Sequence, residues 1–466
     1  MRENCDVAVV GAGVVGLATA FELLTRGLTV TLIGPRGGDH AGQATRAAGA
    51  MLSTFSEIEP HHDEHRVILE TTERVTAHEM YPAWLETVGG HAGRRLTATL
   101  GTWVLAPAGK RAWLNPIAGA AHAAGHPAEQ HDATDIPGLA APPSSAAALW
   151  LPTEARIDSS DLVEALTHAV TDHPRAEWRD TQACAVGSGR VRCTDGTQVS
   201  AADVVLAAGA GIPALLPEAG RPIGVPPILA GRGVSALLRA PAVAPPHVVR
   251  TPNAAFACGV HLVPRADGTQ YLGGTNRLTM SPETDRRASL DELSVLIGDA
   301  TGLLDHRLSG AELLAVRVGL RPYTLDHLPL IGRTGERSLL LATATYRCGV
   351  LLAPRLAALV ADEVTEPGAL EAHPYRVLRP MAVPNVEDVI ADGAAHGLVE
   401  HLLQGGGHFS PTSKAQLDAF LALALRALLT DQRDGAAALR RLWQAAPVPE
   451  VLPSLLAMAQ RSQALR

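Results

Sequence analysis

Residues 5–34, CDVAVVGAGVVGLATAFELLTRGLTVTLIG, constrain this chain more than any other stretch. The apolar run Val7–Val10 meets Gly11, Gly13 and Gly16 in GxGxxG spacing. An apolar-rich helical segment follows to Gly27, and Thr29–Ile33 forms a second apolar strand. Gly11 permits a tight turn off a buried strand. Gly13 lets the backbone approach a pyrophosphate, and Gly16 lets the helix pack close to the strand. The helix N-terminus then offers N–H groups and a positive dipole end to phosphate. The spacing alone is weak, but here it follows a strand and opens a helix within a βαβ unit. It predicts an α/β fold with a dinucleotide held by Gly11, Ala12, Gly13, Val14, Val15 and Gly16. One position departs from the pattern. An acid commonly ends the second strand and holds the adenosine ribose, whereas this chain has Gly34, Pro35 and Arg36. Arg36, backbone groups or water are left for that task.

Bulk properties narrow the class. A length of 466 residues suits two to four domains, and 47% apolar with 18% charged residues supports a large core. The net charge of −8 argues against nucleic acid or an anionic membrane as partner. Five scattered cysteines form no CxxC, which fits a reducing compartment. With no basic n-region near the N-terminus and no long apolar span, a cytoplasmic protein is expected.

Further along, residues 35–52 are small, polar and glycine-rich, suited to close backbone approach to a flat ligand or to a plain surface loop. Residues 53–92 read as helical and contain His61, His62, Asp63, Glu64 and His65. His61 and His65 share a helix face, yet no HExxH and no remote third ligand accompanies them, so a charged, solvated turn and no metal is the reading. Residues 96–106 read as strand–turn–strand. Asp158 or Ser159 caps a helix over Ser159–Ala169. Residues 181–200 form a β-meander turning at Ser188-Gly189 and Asp195-Gly196, leading into the buried strand ADVVLAAGAG (202–211). HLVPRADGTQYLGGTN (261–276) is a hairpin turning at Asp267-Gly268. Residues 289–305 and 356–364 are helical. Beyond about residue 378 the composition shifts to amphipathic helical pieces around a GGGHFSPTS linker, read as a separate all-helical module.

The order of these features resembles the FAD-dependent amine and amino-acid oxidases of the D-amino-acid oxidase type, including glycine oxidase and sarcosine oxidase. The stretches that carry the resemblance are VAVVGAGVVGLATAFEL, ATRAAGAML (44–52), LGTWVLAP (100–107), EARIDSSDLVEAL (154–166), ADVVLAAGAG, HLVPRADGTQYLGGT, GLRPYTLDHLPLIG (319–332) and ATYRCGVLLAP (344–354). They cover about residues 5–376. The resemblance implies a discontinuous Rossmann-like FAD-binding domain of the GR2 type (1–55, 153–215 and 317–378). It also implies an α+β substrate domain with a mixed or antiparallel sheet (56–152 and 216–316). The helical extension, 379–466, is not part of the family pattern and would serve docking, homo-oligomer formation or as a lid.

On the same resemblance, Thr45, Arg46, Ala47, Ala48, Gly49 and Met51 lie along the flavin, with Ala208 and Gly209 nearby. Tyr346, Arg347, Cys348, Gly349, Val350 and Leu351 bring a helix N-terminus to its pyrimidine end. Arg321 matches the arginine that pairs with the substrate carboxylate, and Arg347 a second cationic position. Each would otherwise serve in a structural ion pair. His261 stands where glycine oxidase carries a pocket tyrosine; it would bind substrate, supply positive charge near the flavin, or be a satisfied strand histidine. Asn276 replaces a hydrophobic pocket residue, hinting at a more polar or larger substrate. Tyr346 and Tyr323 would line the cleft or pack in the core. Counting back from Asp326 to the sarcosine-oxidase flavin cysteine gives Gly319, so the FAD is expected to be non-covalent.

The expected function is oxidation of a carboxylate-bearing primary or secondary amine with O2 as acceptor and H2O2 as product. The rivals are a dehydrogenase using another acceptor, a specialised oxidase of a secondary amine or N–N substrate, and a non-catalytic flavin-binding scaffold working through its tail.

Overall fold

The computed structural model describes residues 4–379 apart from 38–40, 60–63, 108, 140–146, 217–224, 227, 254–257, 280–285 and 325. The expected helical extension, from residue 380 onward, lies outside the described residues, as do His61, His62 and Asp63. Glu64 and His65 open the helix Glu64–Ala92 and are exposed. Among the described residues, no group of three or more His, Cys, Asp or Glu side chains is arranged to hold a metal. No described helix is long and apolar enough to cross a membrane.

Two sheets organise the chain. The first runs in the order Leu330–Arg333, Leu339–Thr343, Gln198–Leu206, Asn4–Val10, Val30–Ile33, Ala176–Arg179. Its last five strands are mutually parallel, and Leu330–Arg333 closes one edge antiparallel. Period-two alternation sorts each central strand between two cores. Val7, Val9 and Val205 face a helical layer, whereas Ala8, Val10, Val204 and Leu206 face the meander side. The first helix (Val14–Thr25) is buried nearly all round, through Leu17, Phe21, Leu23 and Leu24. It lies against the late helix Gly349–Thr365, whose Leu351, Leu352, Leu356 and Val360 share that core. Full burial of each such Leu or Phe contributes about 1.5–3 kcal/mol. A polar clamp, Arg26 to Asp362 at 2.7 Å, closes the outer end of the pair.

The second sheet is mixed. Its central run is Glu312–Tyr323, Leu229–Arg239, Gln270–Gly273, His261–Pro264, Val248–Arg250, Thr99–Ala106 and Ala147–Arg156. The 261–276 segment forms the expected hairpin, with His261 opposite Gly273. Asp158 caps the helix Ser159–Thr171 by accepting from the Ser160 and Asp161 N–H groups at 2.8 and 3.3 Å. One local reading changes. Residues 99–106 form one strand, not two: Gly101, at φ +103°, produces a bulge where a turn was expected. A Cβ there would lie 2.1 Å from the Trp150 ring, so the bulge seats that indole. The late helix begins at Gly349, as the resemblance implies, ahead of the 356–364 segment that reads as helical from the sequence.

The two sheets meet along residues 42–52. Gly42–Gln43 pairs with Glu312–Tyr323, and Met51–Leu52 pairs with Ala147–Arg156. Between these anchors the small residues are fixed from the second sheet. The Ala47 carbonyl accepts from Tyr271 Oη at 2.8 Å and Ser235 Oγ at 3.2 Å, and the Arg46 carbonyl accepts from Arg317 at 3.0 Å.

Candidate active site

The glycine turn divides into two kinds of position. A Cβ on Gly11 would lie 2.5 Å from the Ala207 carbonyl oxygen, and one on Gly16 only 1.9 Å from the Gly11 oxygen. The protein's own packing demands glycine at both. A Cβ on Gly13 would meet nothing closer than Thr45 Oγ1, at 3.4 Å, an ordinary contact. Gly13 is also the N-cap; it supplies no capping side chain, and the first turn carries no acid. The helix therefore presents N–H groups and positive dipole to an open cradle, which suits a pyrophosphate. Thr45 Oγ1 accepts the Val14 N–H at 3.2 Å, bringing 44–49 to the same turn. Ala208 and Gly209 leave their strand beside Gly11, whose missing Cβ would lie 2.8 Å from Ala208 N. Arg36 sits at the outer end of this edge, its guanidinium 4.7 Å above the Trp178 ring. Gly319 packs against 44–47: a Cβ there would come 2.9 Å from Ala47 Cβ, leaving no room for a cysteine.

At the other end, strand Glu312–Tyr323 delivers Arg321 beside loop 344–348. Tyr346 N–H donates to the Pro322 carbonyl at 2.8 Å, locking loop to strand. Tyr346 holds φ +47°, a left-handed conformation that costs a bulky residue about 1–3 kcal/mol. Its ring is held by Tyr323 and His327, with centroids at 5.2 and 5.5 Å, and by the Arg347 guanidinium at 4.5 Å.

Arg321 lies flat over Gly233, where a Cβ would come within 2.1 Å of its Nη1. Nη1 donates to the Thr275 carbonyl at 3.0 Å and to Asn276 Oδ1 at 2.9 Å. Asn276 Nδ2 donates to Tyr346 Oη at 2.6 Å. Among the described residues no carboxylate pairs with Arg321, and Nε and Nη2 have no hydrogen-bond partner.

Arg347 meets opposite surroundings. Its Nε contacts Glu57 at 2.9 Å and its Nη2 contacts Glu59 at 2.8 Å. Glu57 also pairs with Arg250 at 2.5 Å and accepts from Asn253, and Arg250 reaches Ser56, which is bound to Glu154. Burial pushes the Glu57 carboxyl up, but the Arg250 and Arg347 guanidiniums outweigh it and hold it well below the usual range. Arg347 thus takes the structural ion-pair role that was open to it. Glu57, Glu59, Arg250, Asn253 and His327 escaped the sequence reading. Glu57 and Glu59 lie in the turn and loop after Phe55, so no strand or helix period announced them. A small cavity behind this loop is lined by Glu59, Glu70, Arg74, His327, Arg347 and Tyr375.

His261 is buried at the hairpin start and stacks on Tyr271, with centroids 5.7 Å apart. Nδ1–H donates to the Gly259 carbonyl at 2.8 Å, leaving Nε2 as acceptor over Gly273. Burial, then Arg250, push its pKa down to about 4. That shift disfavours the charged form at neutral pH and weighs against the expectation that it supplies positive charge near the flavin. At the same loop, Cys348 precedes the late helix without a side-chain cap bond, and Val350 and Leu351 are buried in the helical core.

Known proteins share this fold. The family model described as FAD dependent oxidoreductase matches residues 6–363. A glycine oxidase of Geobacillus kaustophilus is 28% identical over 406 residues, covering 83% of this chain and all of that protein. The crystal structure of glycine oxidase from Geobacillus kaustophilus matches with a TM-score of 0.69 at 26% identity, over 82% of this chain and 100% of that one. An iminodiacetate oxidase from a Chelativorans species has the same fold, with a TM-score of 0.65 at 23% identity, over 81% of this chain and 100% of that one.

Proposed function

The chain belongs to the FAD-dependent oxidoreductase family matched over residues 6–363, and on that premise we propose that it oxidises a small amine bearing one carboxylate, of the glycine, D-amino-acid or N-substituted glycine type. The glycine oxidase relatives support FAD-dependent amine oxidation. The substrate class, the oxygen acceptor and the roles of individual residues are our reading.

One observation carries it: the Arg321 guanidinium, poised over Gly233 with Nε and Nη2 unpartnered among the described residues, beside Asn276 and Tyr346. A planar guanidinium takes a carboxylate through two parallel bonds. Thr275 and Asn276 hold Nη1, so the fork is oriented before substrate arrives, and orientation is most of what such a reaction asks of its protein. Asn276 and Tyr346 offer polar contacts beside the carboxylate. Neutral His261 presents Nε2 as an acceptor toward the same sheet face. Arg347, charge-balanced by Glu57 and Glu59, holds Tyr346 in place and leaves Arg321 as the cation offered to substrate among the described residues. FAD held there without a covalent link would supply a two-electron acceptor for oxidation of the carbon next to nitrogen, with O2 as the final acceptor giving H2O2 and water hydrolysing the imine. Gly11–Gly16, Thr45 and Ala208–Gly209 would hold its pyrophosphate and ribityl portions, and the 346–351 turn its pyrimidine end.

The test is an anaerobic screen of amino acids and N-substituted glycines against the flavin-loaded protein. Loss of visible flavin absorbance with a carboxylate-bearing amine, and peroxide on admitting air, are expected. Bleaching only by amines lacking a carboxylate, or by none, would overturn the reading.

A further inference from the structure

The carboxyl edge of the parallel sheet carries an acid one strand away from where a ribose-binding acid was expected. Ile33 pairs with Arg179, and the Gly34 N–H donates to the Arg179 carbonyl at 3.1 Å. Asp180 therefore stands beside Gly34 at the end of the neighbouring strand. Its Oδ1 accepts the Arg36 N–H at 2.8 Å, which draws the carboxylate toward the chain leaving the second strand. Among the described residues nothing else bonds to Asp180, and the side chain is exposed.

Gly34 cannot carry the acid itself. A Cβ there would lie 2.9 Å from both the nitrogen and the Cβ of Ala12. The strand end is pressed against the glycine turn, and that closeness excludes a side chain. The Gly34 carbonyl is also taken, accepting Trp178 Nε1–H at 2.8 Å. Arg36, stacked on the Trp178 indole, completes a rigid platform around one open carboxylate oxygen. In an open parallel sheet the dinucleotide lies in the crevice outside these strand ends, with its adenosine toward the end of the second strand.

We propose that Asp180 replaces the missing acid, its Oδ2 accepting from the adenosine ribose hydroxyls of FAD. The inference rests on FAD being the cofactor. Asp180→Asn tests it without dismantling the platform: the amide oxygen still accepts the Arg36 N–H, but the second position becomes a donor and cannot receive a hydroxyl. Flavin-stripped wild type and variant are titrated with FAD and with the analogue built on 2′-deoxyadenosine, following tryptophan fluorescence. Wild type should prefer FAD by roughly tenfold or more. The variant should bind FAD roughly ten- to a hundredfold more weakly and lose the preference. Unchanged FAD affinity in the variant would overturn the assignment. Equal weakening toward both flavins, with the preference kept, would also overturn it, because that is the mark of a purely structural role. Wild type that takes up neither flavin would instead remove the FAD premise itself.

Discussion

Arg321 and Arg347 flank the same tyrosine and have opposite surroundings. Arg347 is buried between two carboxylates, in a network that continues through Glu57 to Arg250 and Asn253. Arg321 meets only a carbonyl and an amide oxygen among the described residues. A buried charge with carboxylate partners is satisfied by its own protein. One held by neutral acceptors still has charge to offer. The pair teaches that two arginines in equivalent-looking motifs divide into a cation paired with carboxylates and one held by neutral acceptors, and that only their partners tell them apart.

The most disruptive way to break this contrast is Glu57→Gln, which leaves Arg250 and Arg347 sharing too little negative charge in a buried site. Removing one partner of a buried pair costs about 3–5 kcal/mol. Urea denaturation should register a loss of that size; an unchanged midpoint would mean that the network adds nothing to the fold.

His261 sharpens the contrast through pH. Its folded pKa of about 4 lies below the ordinary value of 6.5, so the unfolded chain binds the proton more readily between those values. The contribution is complete above about pH 6.5 and is lost as pH falls toward 4, with a ceiling of about 3 kcal/mol. Asp299, whose carboxyl burial pushes up to about 6, works in the opposite direction over part of that window. The readout is therefore the difference between wild type and His261→Gln. Stability curves from pH 7 to 4 should converge with, or cross, the variant's as pH falls; parallel curves would show that His261 does not titrate there.

The fold was legible because local rules and global packing agree. Gly11 and Gly16 are imposed by atoms of the protein itself, and the unbroken apolar runs Val7–Val10 and Val204–Leu206 announce strands buried on both faces. Gly101 was misread as a turn because glycine marks bulges and turns alike, and the deciding contact, Trp150, comes from another strand. At the candidate site, Arg321 stood out by its motif, on which its proposed role rests. The commitment of Arg347 was not, since Glu57 and Glu59 are brought to it only by tertiary folding. The substitute for an acid at Gly34 was hidden for the same reason: Asp180 lies far away in sequence and adjacent only through sheet register.

The central claim is that uncompensated charge marks the substrate end. Flavin-loaded wild type and Arg321→Met, titrated with a small unreactive carboxylate such as acetate, report binding through the visible flavin spectrum. The account predicts saturable binding by wild type and a loss of about 2–5 kcal/mol in the variant, with urea stability nearly unchanged. Arg321→Met that binds acetate as wild type does, or that loses stability as Glu57→Gln is expected to, would contradict it.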